Sequence, residues 1–126
     1  MRTFPLADVL TITTGYAVAP LRRLYDILHF LTGTRPYTHQ LIRACHWTAP
    51  RLLQQFPILH GADPTRLQAL LAGAPNDRES RQLQCDLWVE ETSIALGLTE
   101  LELEPYPGWG SLDPVTEFRA MNDPQH

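Results

Sequence analysis

Proline and glycine punctuate this chain where helices start and stop, and between the marks apolar residues recur at helical spacing. The clearest segment opens at Pro20 and closes at Gly33, with Leu21, Leu24, Tyr25, Leu28 and Leu31 following the i, i+3, i+4, i+7 pattern. Before it, Thr3 stands as a candidate N-cap with Pro5 near the first helical position. Leu6, Val9, Leu10 and Ile12 then lead to Gly15. The β-branched run Thr11-Ile12-Thr13-Thr14 would also suit a strand, so a short helix with an irregular end is expected there. Thr38 can cap a third helix carrying Leu41, Ile42 and Cys45, which Pro50 should break or kink before Leu52, Leu53 and Phe56. Asp63-Pro64 opens a short helix from Thr65 to Leu71, ended by Gly73. Asn76-Asp77-Arg78-Glu79 resembles a capping box opening the longest helix, through Leu83, Leu87, Trp88 and Ile94 to Gly97.

Beyond Gly97 the period changes. Thr99 to Glu104 alternates polar residues with Leu101 and Leu103, as one short strand would, and a strand needs a partner that the sequence does not nominate. Pro105-Tyr106-Pro107-Gly108-Trp109-Gly110 reads as a loop in which Tyr106 and Trp109 are the aromatics expected to be exposed. Asp113-Pro114 can start a last helix through Phe118, and 122–126 reads as a frayed tail. The expected fold is mainly α: a compact bundle of about five to six short helices with at most a short β element near the C-terminus. Residues 1–121 form a single globular domain in this reading.

Composition narrows the function. The chain has 126 residues, 44% of them hydrophobic, enough to bury a core without disulfides or a metal. A net charge of −4 argues against a general nucleic-acid binder, whose affinity comes from cations neutralising phosphates. All ten basic residues are Arg, which grips phosphate and carboxylate in a two-pronged way that Lys cannot, although a GC-rich genome would produce the same bias. Cys45 and Cys85 form neither a disulfide framework nor a CxxC site and read as reduced thiols. No apolar run approaches the roughly 20 residues that span a bilayer, and no signal-peptide core follows Met1-Arg2-Thr3-Phe4-Pro5, so a cytoplasmic protein is expected. GxSxG, HExxH, P-loop and GxGxxG motifs are absent, as is any carboxylate pair at a suggestive spacing. The expectation is a binding protein and not an enzyme, with no cofactor and no metal implied.

Thr38-His39-Gln40-Leu41-Ile42-Arg43, continued by His46, is the most informative polar group. If it is all helical, His39 and Arg43 are i, i+4 neighbours and His46 lies two turns on from His39, giving a polar stripe opposite Leu41, Ile42 and Cys45. The free N–H groups and positive dipole end near Thr38 would then favour a phosphate, with Arg43 one turn away. The plainer alternative is that Thr38 caps the helix, His39 and Gln40 satisfy backbone groups and Arg43 pairs with a carboxylate. Thr13, Thr14 and Gly15 form a second candidate group, two hydroxyls beside a permissive backbone, although such residues also end many helices.

The order Pro5-Leu6-Ala7-Asp8-Val9-Leu10, Thr13-Thr14-Gly15, Tyr25-Asp26-Ile27-Leu28, Thr32-Gly33, Thr38-His39-Gln40-Leu41, Arg43-Ala44 and Asp113-Pro114 resembles a family of small, largely uncharacterised proteins of bacteriophage and prophage genomes. The similarity is densest from Pro5 to Ala44. Ile42 stands where that family often has Pro, and Gly108-Trp109-Gly110-Ser111 where it often has a His-containing loop. The resemblance implies a mobile-element origin, and by analogy an accessory or counter-defence role. The expected activity is sequestration of a nucleotide-like, phosphate-bearing immune signal by Thr13, Thr14, Gly15, Thr38, His39, Gln40 and Arg43, with a homo-oligomer as one possible assembly. Its rivals are an anti-CRISPR-type inhibitor that blocks a host defence protein through Glu90, Glu91, Glu100, Glu102 and Glu104, and a phage structural or assembly component.

Overall fold

The computed structural model describes residues 1–109. Among them lie five α-helices: α1 (Leu6–Thr14), α2 (Leu21–Thr32), α3 (Leu41–Gln55), α4 (Pro64–Ala72) and α5 (Arg78–Leu96). Strands β1 (Arg2–Pro5) and β2 (Glu100–Leu103) complete the regular structure, with 3-10 turns at Thr38–Gln40 and Pro57–Gly61. The mainly helical expectation holds, as does the short β element. The proposed helix at 113–118, the tail at 122–126 and the domain limit at residue 121 lie outside the described residues.

The missing strand partner is the chain's own start. β1 and β2 run antiparallel, with Phe4 opposite Leu101 and Arg2 opposite Leu103. Thr3 is therefore a strand residue and not a helix cap. Phe4, Leu101 and Leu103 are buried while their neighbours face outward, so the pairing lets both segments bury their apolar positions on one core. The Leu6 N–H donates to the Thr99 carbonyl at 2.9 Å, carrying the pairing into the first turn of α1.

α1 lies in the middle of the core, with Leu6, Asp8, Val9, Leu10, Thr11 and Ile12 all buried. Its threonines stay helical because Thr11 and Thr14 donate their hydroxyls back to the Ala7 and Leu10 carbonyls, at 2.9 and 2.6 Å. Gly15 then takes a left-handed φ of 78° to turn the chain out. Leu24, Ile27, Leu28 and Leu31 of α2 share one buried cluster with it, together with Ala44 and Leu52 of α3, Leu67 of α4 and Trp88 of α5. Leu21 departs from the expected stripe and is exposed.

Three local expectations change. The α-helix starts at Leu41 and not at a Thr38 cap, because Thr38–Gln40 winds as a 3-10 turn and Gln40 reaches back, its Oε1 accepting the Tyr37 N–H at 2.9 Å. α3 runs through Pro50 to Gln55 without a break. A proline there removes one backbone donor; the Arg51 side chain donates to the Trp47 carbonyl in that turn, and the burial of Ala44, Thr48 and Leu52 holds both halves on one face. The cap of α5 is Asp77, one residue later than the capping-box reading: its Oδ1 accepts the Ser80 N–H at 2.7 Å and its Oδ2 the Ser80 hydroxyl at 2.8 Å. Asp63 caps α4 as expected, accepting the Thr65 N–H at 3.0 Å.

Polar groups also enter the core in pairs. Asp8, 4% exposed, forms an ion pair with Arg23 that joins α1 to α2. The Thr11 hydroxyl accepts the Ala19 N–H at 3.1 Å, and the Trp88 indole donates to the Asp63 carbonyl at 3.0 Å. No helix among the described residues is long and apolar enough to cross a membrane.

Candidate functional site

The end of α1, the start of α2 and the first half of α3 do not close on one another. Between them lies a cleft of about 600 Å³, within the range of small-molecule sites. Thr13, Thr14 and Gly15 form part of its wall, with Leu24, Leu41, Cys45 and Ala49 facing them and His46 exposed beside them. Leu21 and Ile42, 59% and 69% exposed, stand in its lining as an apolar lip. Gly15 ends α1 at the cleft, and the 3-10 turn at Thr38–Gln40 leads directly into α3 at Leu41.

Most of the wall is apolar, and the Thr13 hydroxyl is buried in the protein with no hydrogen-bond partner. Its neighbours on α1, Thr11 and Thr14, have spent their hydroxyls on the helix backbone. A buried hydroxyl left unpaired costs free energy, so a ligand atom that completes it gains more than a surface contact would. Burial also pushes the Cys45 thiol above its ordinary value, keeping it protonated at neutral pH. Among the described residues no cluster of three metal-ligating side chains occurs.

The other predicted residues are placed elsewhere. Thr38 borders a separate hollow of about 440 Å³ with Tyr25, Arg35, Pro36 and Tyr37, and its Oγ1 accepts the Tyr25 hydroxyl at 3.2 Å. His39 stacks near Tyr37, with ring centroids 6.1 Å apart, and Gln40 is buried with its carbonyl oxygen on the Tyr37 N–H. Arg43 sets its guanidinium 4.1 Å from the centroid of Trp109. The seven residues are therefore split among three places: Thr13, Thr14 and Gly15 in the cleft, Thr38 at the hollow with His39 and Gln40 against its Tyr37, and Arg43 beside Trp109. The expected polar stripe also dissolves, since His46 shares the cleft with Leu41, Ile42 and Cys45 instead of opposing them.

Arg43 belongs to a ladder invisible in the linear sequence. Trp109 meets Trp47 edge to face at 5.4 Å, and Arg51 lies 3.8 Å from the Trp47 centroid. Arg43, Trp47 and Arg51 are spaced by four along α3 and could have been read as one face; the intervening Trp109 arrives from 62 positions beyond Trp47 and could not. The loop aromatics are consequently half-buried and not exposed. Tyr106 donates its N–H to the Leu31 carbonyl at 2.8 Å and its hydroxyl to Gln55 Oε1 at 2.6 Å, and burial raises its phenol above the ordinary value.

The acidic rival surface is real in part. Glu100, Glu102 and Glu104 are exposed, the first two on the outward side of β2, whereas Glu91 is engaged by Arg66 of α4 at 3.2 Å.

Compared with known proteins, residues 4–61 match the family model of a domain of unknown function, DUF7736. That span begins at Phe4 of β1 and ends at Gly61, so it contains all three helices around the cleft. No curated protein and no solved structure matches the chain.

Proposed function

We propose that this chain is a non-catalytic binding protein that captures a nucleotide-like small molecule in the α1–α2–α3 cleft. In this reading it serves a mobile genetic element as a counter-defence factor in the host cytoplasm. The observation that carries the binding reading is the unpartnered Thr13 hydroxyl in the wall of a largely apolar cleft of about 600 Å³. A planar ring with polar edges suits such a wall, since its faces bury against Leu24, Leu41 and Ala49 while one edge bonds Thr13. His46, exposed at the cleft, is a lining residue whose ring N–H can donate a hydrogen bond to a phosphate. The mobile-element role rests on the resemblance alone.

Thermal shift with cyclic and ADP-ribose-derived nucleotides tests the reading. Saturation at 100 times the dissociation constant contributes about 2.7 kcal/mol of stability, which is an easily measured rise. Thr13→Val should weaken the active ligand roughly two- to tenfold by losing one neutral hydrogen bond. The bound ligand should also slow alkylation of Cys45. A panel in which nothing shifts the protein or shields Cys45 rejects the nucleotide class.

The second reading, a protein-blocking inhibitor, is favoured by one observation: Glu100, Glu102 and Glu104 lie exposed next to one another at the sheet. Replacing all three with Gln would slow association with a basic partner and reduce its salt dependence, while leaving nucleotide binding unchanged.

A further inference from the structure

Two arginines of α5 stand where local rules disfavour them. Arg78 and Arg81 occupy the first and fourth positions of the helix, at the end where its dipole opposes cations and one turn apart, where like charges repel. Neither forms an ion pair among the described residues, whereas Arg23 is held by Asp8 and Arg66 by Glu91. With Gln82 and Cys85 they follow the i, i+3, i+4, i+7 pattern of one helix face. That face borders a hollow of about 410 Å³, bounded also by Leu71 of α4 and by Tyr16 and Ala17 of the loop after α1. The Tyr16 hydroxyl oxygen accepts from Gln68 Nε2, which leaves its own proton to donate. No carboxylate among the described residues lines this hollow: Asp77 is turned to Ser80, Asp86 accepts the Gln82 amide at 2.8 Å, and Glu79 borders a neighbouring hollow. Burial and then Asp86 raise the Cys85 thiol while Arg81 opposes them, so the Arg81 charge reaches the buried base of the hollow.

We propose that this hollow binds an organic phosphate, a phosphate monoester or diphosphate whose charged oxygens lie between Arg78 and Arg81 and whose body rests on Ala17 and Leu71. Two guanidiniums offer paired N–H donors matched to phosphoryl oxygens, and the Tyr16 proton supplies a further donor. A bound dianion turns the repulsion between Arg78 and Arg81 into attraction to a shared partner. The helix dipole then favours the charge at that end instead of opposing it. A carboxylate brings a single negative charge to two guanidiniums, whereas a phosphate monoester carries close to two at neutral pH. Half-buried Leu71 and exposed Ala17 are covered by an organic body and not by the bare ion. The site is distinct from the α1–α2–α3 cleft, with which it shares Ala17.

Isothermal titration calorimetry of the full chain with phenyl phosphate, inorganic phosphate and benzoate, at about 50 mM salt, tests the site. Phenyl phosphate should bind about tenfold more tightly than either of the others. Arg78→Gln and Arg81→Gln should each weaken it about tenfold or more with unchanged helical circular dichroism, and Tyr16→Phe about two- to fivefold. Arg22→Gln, which removes an equal charge from α2, should leave it unchanged. Phenyl phosphate should not slow alkylation of Cys45, which lies in the cleft. No binding of phenyl phosphate up to about 10 mM overturns the proposal, as does full affinity in both arginine variants. So does equal weakening by Arg22→Gln, which would mean unspecific charge, or protection of Cys45, which would put the ligand in the cleft. Equal affinity for inorganic phosphate or benzoate overturns the organic-phosphate assignment.

Discussion

The region from β1 to α3 and the α4–α5 pair solve helix initiation in opposite ways. α1 and α2 begin at Pro5 and Pro20 without any side-chain cap, whereas α4 and α5 begin at Asp63 and Asp77, whose carboxylates take the first free N–H groups. The first region spends its polar side chains across elements, in Asp8–Arg23 and Thr11–Ala19, and buries most of α1. The second uses Asp63 and Asp77 within their own first turns, adds an exposed Arg66–Glu91 pair between its two helices, and reaches the core mainly through Leu67, Cys85 and Trp88. Helices that begin with local help need fewer tertiary contacts, which leaves their outer faces exposed. The cleft lies in the first region and the exposed Leu83–Leu87–Ile94 face in the second, consistent with that division.

The largest expected effect tests whether Trp88 anchors the second region. Trp88→Ala removes a side chain only 1% exposed together with its bond to the Asp63 carbonyl, and should cost about 3–5 kcal/mol in chemical denaturation. Hydrogen exchange should show α5 losing protection before α1. Equal loss in both would mean that the two regions are one cooperative unit and would break the contrast. In the same helix Leu83→Ala should change monomer stability by less than about 0.5 kcal/mol, because its side chain lies outside the core.

Next in size is the tie between α1 and α2. Arg23→Ala leaves the Asp8 carboxylate buried without its cation; fully buried pairs lose about 3–5 kcal/mol, and the guanidinium here is a third exposed, so about 2–3 kcal/mol is expected. Adding Asp8→Asn should return part of the loss. Thr11→Val should cost about 1–2 kcal/mol, since the Ala19 N–H is left buried without an acceptor. If both variants match wild type in urea, the cross-element bonding assigned to the first region is wrong.

Two smaller effects depend on pH and have opposite signs. Burial raises the Cys45 thiol above its ordinary 9.0, so its contribution is present below that value and is lost as pH rises through the folded one. Cys45→Ala should flatten the alkaline fall in melting temperature. Hydrogen bonds from Ser80 lower the Asp77 carboxyl below its ordinary 3.8, so its contribution is present above that value and is lost as pH falls through the folded one. Asp77→Asn should shrink the acid dependence slightly, less in high salt because the group is exposed. An unchanged acid limb would remove the cap from the account of α5.

The sequence determined the positions of α2, α4 and the end of α5 because their signals are local. Pro20 with Gly33, Asp63 with Pro64, and the left-handed turn at Gly97 act through backbone geometry within one turn of helix. It also determined that Thr99–Glu104 would alternate, since a period of two is a property of the strand itself. Only the tertiary structure decided where those elements were used. β2 found β1 almost a hundred residues away. α5 placed Trp88 inward and Leu83, Leu87 and Ile94 outward, although all four are apolar and spacing alone could not choose between the two faces. Thr13 reached the cleft while Arg43 turned to Trp109, because a 3-10 turn before Leu41 reset the helical phase on which the single-site expectation depended. Helix starts are settled by the few residues that touch each other along the chain; the choice of face, strand partner and site is settled by which distant surfaces bury most apolar area together, and that competition is not written at any one position.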